Sequence, residues 1–68
     1  MSQTDTYTVT GMTCAHCVAS VTEEVQELPG VEAVDVVLET GAVTITSAAP
    51  VDRSAVQAAV EEAGYQLA

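Results

Sequence analysis

Stretches that alternate and stretches with helical spacing follow one another along this chain, and their order constrains the fold more than any other feature. Thr6 to Thr10 alternates, with Tyr7 and Val9 on one face and threonines on the other, as a half-buried strand does. Val18, Val21, Val25 and Leu28 then recur at helical spacing, opposite Ser20, Glu23, Glu24 and Glu27. This predicts a helix from about Ala15 to Leu28, stopped by Pro29-Gly30. Val31 to Leu38 reads as a strand with Val34, Val36 and Leu38 inward and Asp35 and Val37 outward. Glu39-Thr40-Gly41 supplies a turn, and Ala42 to Thr46 alternates again, so the two strands make a hairpin. Ser47 to Pro50 reads as a linker, and Asp52 as the cap of a second helix, Arg53 to Ala63, whose apolar face is Val56, Ala59, Val60 and Ala63. Gly64 ends that helix and leaves Tyr65-Gln66-Leu67 for a short last strand, while Met1 to Thr6 reads as a frayed start running into the first.

The order is β-α-β-β-α-β, the ferredoxin-like arrangement of the α+β class: a four-stranded antiparallel sheet with two helices on one face. Val9, Val34, Val36, Val43 and Ile45 are the expected inner face, covered by the two valine stripes. Sixty-eight residues without Phe or Trp make one domain, spanning residues 1–68, with a core of small β-branched side chains.

Ten carboxylates against the single Arg53 argue against nucleic acid and against anionic membrane surfaces, both of which need basic patches. No run approaches the ~20 apolar residues of a membrane span, and no cationic leader precedes an apolar stretch. The expectation is a cytoplasmic protein with reduced thiols. A stabilising disulfide is the weaker alternative, because closing so short a loop gains little.

The chemistry concentrates where the first strand hands over to the first helix. Gly11-Met12-Thr13-Cys14-Ala15-His16-Cys17 holds both cysteines, the one histidine and one of two methionines. A helix N-terminus favours thiolate, the form that binds metal or attacks. Three chemistries suit a lone CxxC. Structural zinc wants four ligands, and Cys14, Cys17 and His16 fall short unless two chains combine. A dithiol redox pair expects a larger fold. A soft ion of low coordination, above all Cu(I), is satisfied by two sulfurs and stays open to a third. Thr13 reads as a helix N-cap, Met12 as core filler ahead of thioether ligand, and His16 as solvent-exposed. Tuning of the thiols, or an extra ligand in a copper-bridged homodimer, is the other reading of His16.

This motif with the following Val18 and Val21, the Pro-Gly-Val after the first helix, the valine strands and the terminal Ala-Gly-Tyr together resemble the heavy-metal-associated domain family over essentially the whole chain. Within it, the CxHC form with Gly-Tyr near the end most resembles the bacterial copper chaperones of the CopZ type. The resemblance implies Cu(I) held by Cys14 and Cys17, Tyr65 beside the metal loop, and delivery to the metal-binding domain of a copper-transporting P-type ATPase. Zinc- and lead-selecting relatives commonly carry an acid where this chain has Thr13, which favours copper. The expectation is thus a copper chaperone and not an enzyme. The alternatives are a domain excised from such an ATPase, against which the initiating Met1 argues, and a thiol-disulfide enzyme or mercuric-ion binder.

Overall fold

In the computed structural model, residues 2–68 are described, so the frayed start expected at Met1 lies outside them. The elements are β1 (Gln3–Thr10), α1 (Ala15–Gln26), β2 (Val31–Val37), β3 (Ala42–Ser47), α2 (Arg53–Glu62) and β4 (Gln66–Leu67). The sheet runs β2-β3-β1-β4 and every pairing is antiparallel, as the βαββαβ order requires.

Val9, Val43 and Ile45 on the sheet pack against Val21 and Val25 of α1 and Val56, Ala59 and Val60 of α2. Val34 and Val36 are half-buried at the rim of this core. Each fully buried aliphatic contributes about 1.5–3 kcal/mol of transfer free energy, so a handful of valines carries a domain of this size. One polar residue joins them. Ser47, read as linker, is the last residue of β3, is fully buried, and its hydroxyl has no hydrogen-bond partner.

Element ends differ from the sequence reading for local reasons. β1 starts at Gln3, ahead of Thr6, because Gln3, Thr4 and Asp5 pair with Ser47, Thr46 and Ile45. α1 ends at Gln26, since Pro29 disfavours helical geometry at Leu28; Leu28 N–H instead reaches the Val25 carbonyl at 3.1 Å. A register shift between Val31 and Ala33 absorbs Glu32 and lets Val31 and Val34 face the same way three residues apart. β2 stops at Val37, so Leu38, expected inward, belongs to the turn and is exposed. The cause is Gly41, which has φ +76, donates to the Val37 carbonyl at 2.9 Å and offers its own carbonyl to Val9 N–H at 2.8 Å. A Cβ there would collide with the Val9 carbonyl oxygen, so glycine alone lets the hairpin turn lie against β1.

Asp52 stands at the N-cap of α2, although its side chain makes no capping hydrogen bond. α2 gives way at Ala63 to a Schellman motif: Gly64, at φ +96, donates to Glu61 at 2.9 Å and Tyr65 to Val60 at 3.0 Å. That motif aims Tyr65 back towards the end of the sheet where β1 meets α1.

Candidate metal centre

Cys14, not Thr13, is the N-cap of α1: its backbone is extended (φ −157°, ψ 173°) and its carbonyl accepts from Cys17 N–H at 3.0 Å and Val18 N–H at 3.4 Å. Cys17 is therefore the third helical residue. These are the two positions that a capping box brings together, so CxxC at a helix start places its thiols side by side. The sulfurs are 3.6 Å apart. That is well beyond the ~2.05 Å of a disulfide, and inside the ~4.6 Å that two metal–sulfur bonds of ~2.3 Å can span. The donor set fits one soft ion.

The two thiols differ in environment. Cys14 is exposed, whereas Cys17 is 7% exposed and lies one turn before Val21 and two before Val25 on the buried stripe. The expected stripe began at Val18, which is only half-buried. The four-residue spacing of Cys17, Val21 and Val25 was the signal that could have found the buried cysteine. Of the two sulfurs, only that of Cys14 is open to an incoming third.

Thr13 N–H donates to Cys17 Sγ at 3.5 Å, with the Thr13 hydroxyl 3.9 Å from the same sulfur. The amide hydrogen bond is the largest influence lowering the Cys17 pKa from 9.0 to about 6; the Tyr65 phenol and Cys14 add to it, and burial opposes it. These contacts favour the thiolate form of Cys17. The Tyr65 phenol is pushed up in turn, first by its interaction with Cys17 and then by burial. No acid stands in the first turn of α1.

Tyr65 serves two ends, as core packing and as neighbour of the thiols. Its ring borders Gly11, where an added Cβ would come within 3.5 Å of Tyr65 Cδ1. Met12 is half-buried and packs against the core. His16 is exposed on the outer side of the first turn. No third donor converges on the sulfurs: among the described residues no group of three or more His, Cys, Asp or Glu is placed to hold a metal. None of the described helices is long and apolar enough to cross a membrane.

Fold and site together define a small ferredoxin-like domain that presents a dithiol at a strand-to-helix junction. The chain belongs to the heavy-metal-associated domain family, whose model matches residues 6–66. It is 44% identical over 64 residues to the copper chaperone CopZ of Bacillus subtilis, covering 93% of each chain. It is 41% identical over 59 residues to copper-transporting ATPase 1 of Rhizobium meliloti, covering 87% of this chain and 7% of that protein. A solved CopZ metallochaperone superposes with a TM-score of 0.90 at 31% identity, over 97% of this chain and 100% of that one.

Proposed function

We propose that this chain is a cytoplasmic carrier of Cu(I), holding the ion between Cys14 and Cys17 and passing it to the metal-binding domain of a copper-transporting P-type ATPase. It is a carrier, not an enzyme, and residues 1–68 act as one metal-binding domain. The observation that carries this reading is the unequal pair: a buried, thiolate-prone Cys17 3.6 Å from an exposed Cys14, with no third ligand nearby. Two soft sulfurs select Cu(I) over harder ions, and an unfilled coordination shell suits a cargo that has to leave.

Transfer is ligand exchange. An incoming thiolate bonds to the copper from the solvent side, giving a three-sulfur intermediate. Cys14, the exposed thiolate, departs first, taking its electron pair, and Cys17 holds the ion until a second acceptor sulfur replaces it. Thr13 N–H and the Tyr65 phenol stabilise the Cys17 sulfur as its charge returns. The acid-free first turn spares the anionic copper complex further repulsion, while the carboxylates elsewhere suit a recipient with basic residues.

Anaerobic titration with Cu(I), followed by mass and stoichiometry, tests the reading. One ion per chain is expected; a copper-bridged homodimer at higher protein concentration would favour the other reading of His16, as an extra ligand. His16→Ala should retain the first ion, and tight binding that survives loss of either cysteine would overturn the assignment. A second reading, that the chain acts as a domain of a copper ATPase, is favoured by the Rhizobium relative and uses the same site. A mercuric-ion binder would show preference for Hg(II) in competition with Cu(I).

A further inference from the structure

The hairpin turn between β2 and β3 belongs to the same end of the molecule as the thiols. β1 and β2 run in the same direction on either side of β3, and Val37, Ala42 and Thr8 lie in one row across the three strands. Gly41 ties the turn to Val9, two residues before Gly11. With strands ~4.8 Å apart and a rise of ~3.4 Å per residue, Val37 is about 14 Å from Gly11, where the metal loop starts.

Val37 and Leu38 are 44% and 37% exposed, and they are the exposed large hydrophobics among the described residues. A single exposed leucine would signify nothing. These two are adjacent in the chain and sit at the end of the molecule that carries the thiols; Val37 is exposed on the outward face of β2, and Leu38 because the Gly41 contact pulls the chain out of β2 before it can turn inward. A docking patch of ~800 Å² per partner has a radius of about 16 Å, so one centred on the start of the metal loop at Gly11 reaches this turn.

We propose that Val37 and Leu38 form an apolar contact that seats the copper-receiving domain beside the metal loop. The inference rests on the carrier reading above. The occupant is a domain that offers its own thiolate pair together with basic and apolar residues. The basic residues answer the net charge of −9, and the apolar ones meet Val37 and Leu38. Charge supplies encounter and steering, and the turn supplies the part of the affinity that survives salt.

The test compares wild type, Leu38→Ser, the double variant Val37→Thr/Leu38→Ser and Leu38→Met, each loaded with one Cu(I) under anaerobic conditions. Each is offered a small-molecule Cu(I) chelator, which needs no docking, and separately the segment of Rhizobium meliloti copper-transporting ATPase 1 that aligns with this chain. Copper transfer to the protein acceptor should fall about tenfold in Leu38→Ser and further in the double variant, return in Leu38→Met, and stay unchanged to the chelator throughout. The difference should persist at high salt. Transfer to the protein acceptor at wild-type rate in the double variant would overturn this contact and leave the carrier reading standing. Slowing towards both acceptors would also overturn it, by moving the effect into the metal site. A wild type that loads the chelator but not the protein would overturn this docking partner, and one that fails to bind copper would overturn the carrier reading and the inference with it.

Discussion

Cys17 lies one helical turn ahead of Val21 on the buried stripe of α1, so the second thiol is also a buried residue of the helix's inner face. Cys14, three residues earlier, has only its helix-starting backbone to contribute to stability. Removal of each sulfur therefore has a different structural effect, even though the proposed copper site needs both.

Cys14→Ser and Cys17→Ser should each abolish tight Cu(I) binding while the apo fold survives. Serine is a better N-cap than cysteine, so apo Cys14→Ser should be as stable as wild type or more so, by up to about 1 kcal/mol. Cys17→Ser puts a hydroxyl at a buried position in place of the larger sulfur that accepts from Thr13 N–H, and should cost about 1–2 kcal/mol. Thermal melts of the apo proteins distinguish the two, at roughly 4–8 °C per kcal/mol for a domain of this length. Equal melting temperatures would contradict the burial difference.

Stability should also depend on pH through Cys17. Its pKa falls from 9.0 to about 6 on folding, chiefly through the Thr13 amide, so between those values the unfolded chain binds more protons. The contribution is fully present above about pH 9 and is lost as pH falls through about 6. Glu24 has the opposite sign. Burial first, then Glu27, Glu62 and Glu23, raise its pKa, so its contribution is present below the ordinary value of 4.5 and is lost as pH rises through the folded one. Melting temperature should rise from pH 6 to 9 in wild type and stay flatter in Cys17→Ala. Parallel profiles for the two proteins would show that Cys17 is not the titrating group.

Met12→Ala should destabilise the apo protein without removing copper. Truncating a core methionine costs about 2–5 kcal/mol, and a half-buried one belongs near the lower figure. Chelator competition on the folded variant should give wild-type Cu(I) affinity. Unchanged melting with weakened binding would instead make the thioether a ligand.

Ser47→Ala is the one substitution expected to stabilise outright. The hydroxyl is buried without a partner, and removing it relieves a desolvation penalty of about 1–3 kcal/mol at the cost of one small void. Denaturant midpoints would show it as an increase with unchanged slope. A decrease would reveal an interaction of that hydroxyl that its surroundings do not suggest.

The order of elements was legible because valine and threonine alternate plainly in Thr6–Thr10 and Ala42–Thr46. Gln3 to Asp5 carried no such signal; they are strand because β3 offers them backbone partners, which is a long-range fact. Leu38 had the parity of Val34 and Val36, and no local pattern could show that Gly41 would draw the chain onto Val9 first. At the site, the nearness of the two cysteines was legible in their spacing. Their inequality was not, because Val18 also stands at helical spacing from Val21, and a cysteine can be both a reactive group and, as Cys17 is, the next residue of the apolar series. Thr13 was a sensible cap by residue type, but a cysteine took that place, and the threonine amide went to sulfur.

Because the Cys14 carbonyl accepts the first hydrogen bonds of α1, the metal loop and the opening turn of the helix fray together or not at all. Amide hydrogen exchange at Cys17 and Val18 then measures how often the site comes apart in the absence of copper, and a bound ion bridging the N-cap and the third helical residue should slow exchange there before it slows it anywhere in the sheet.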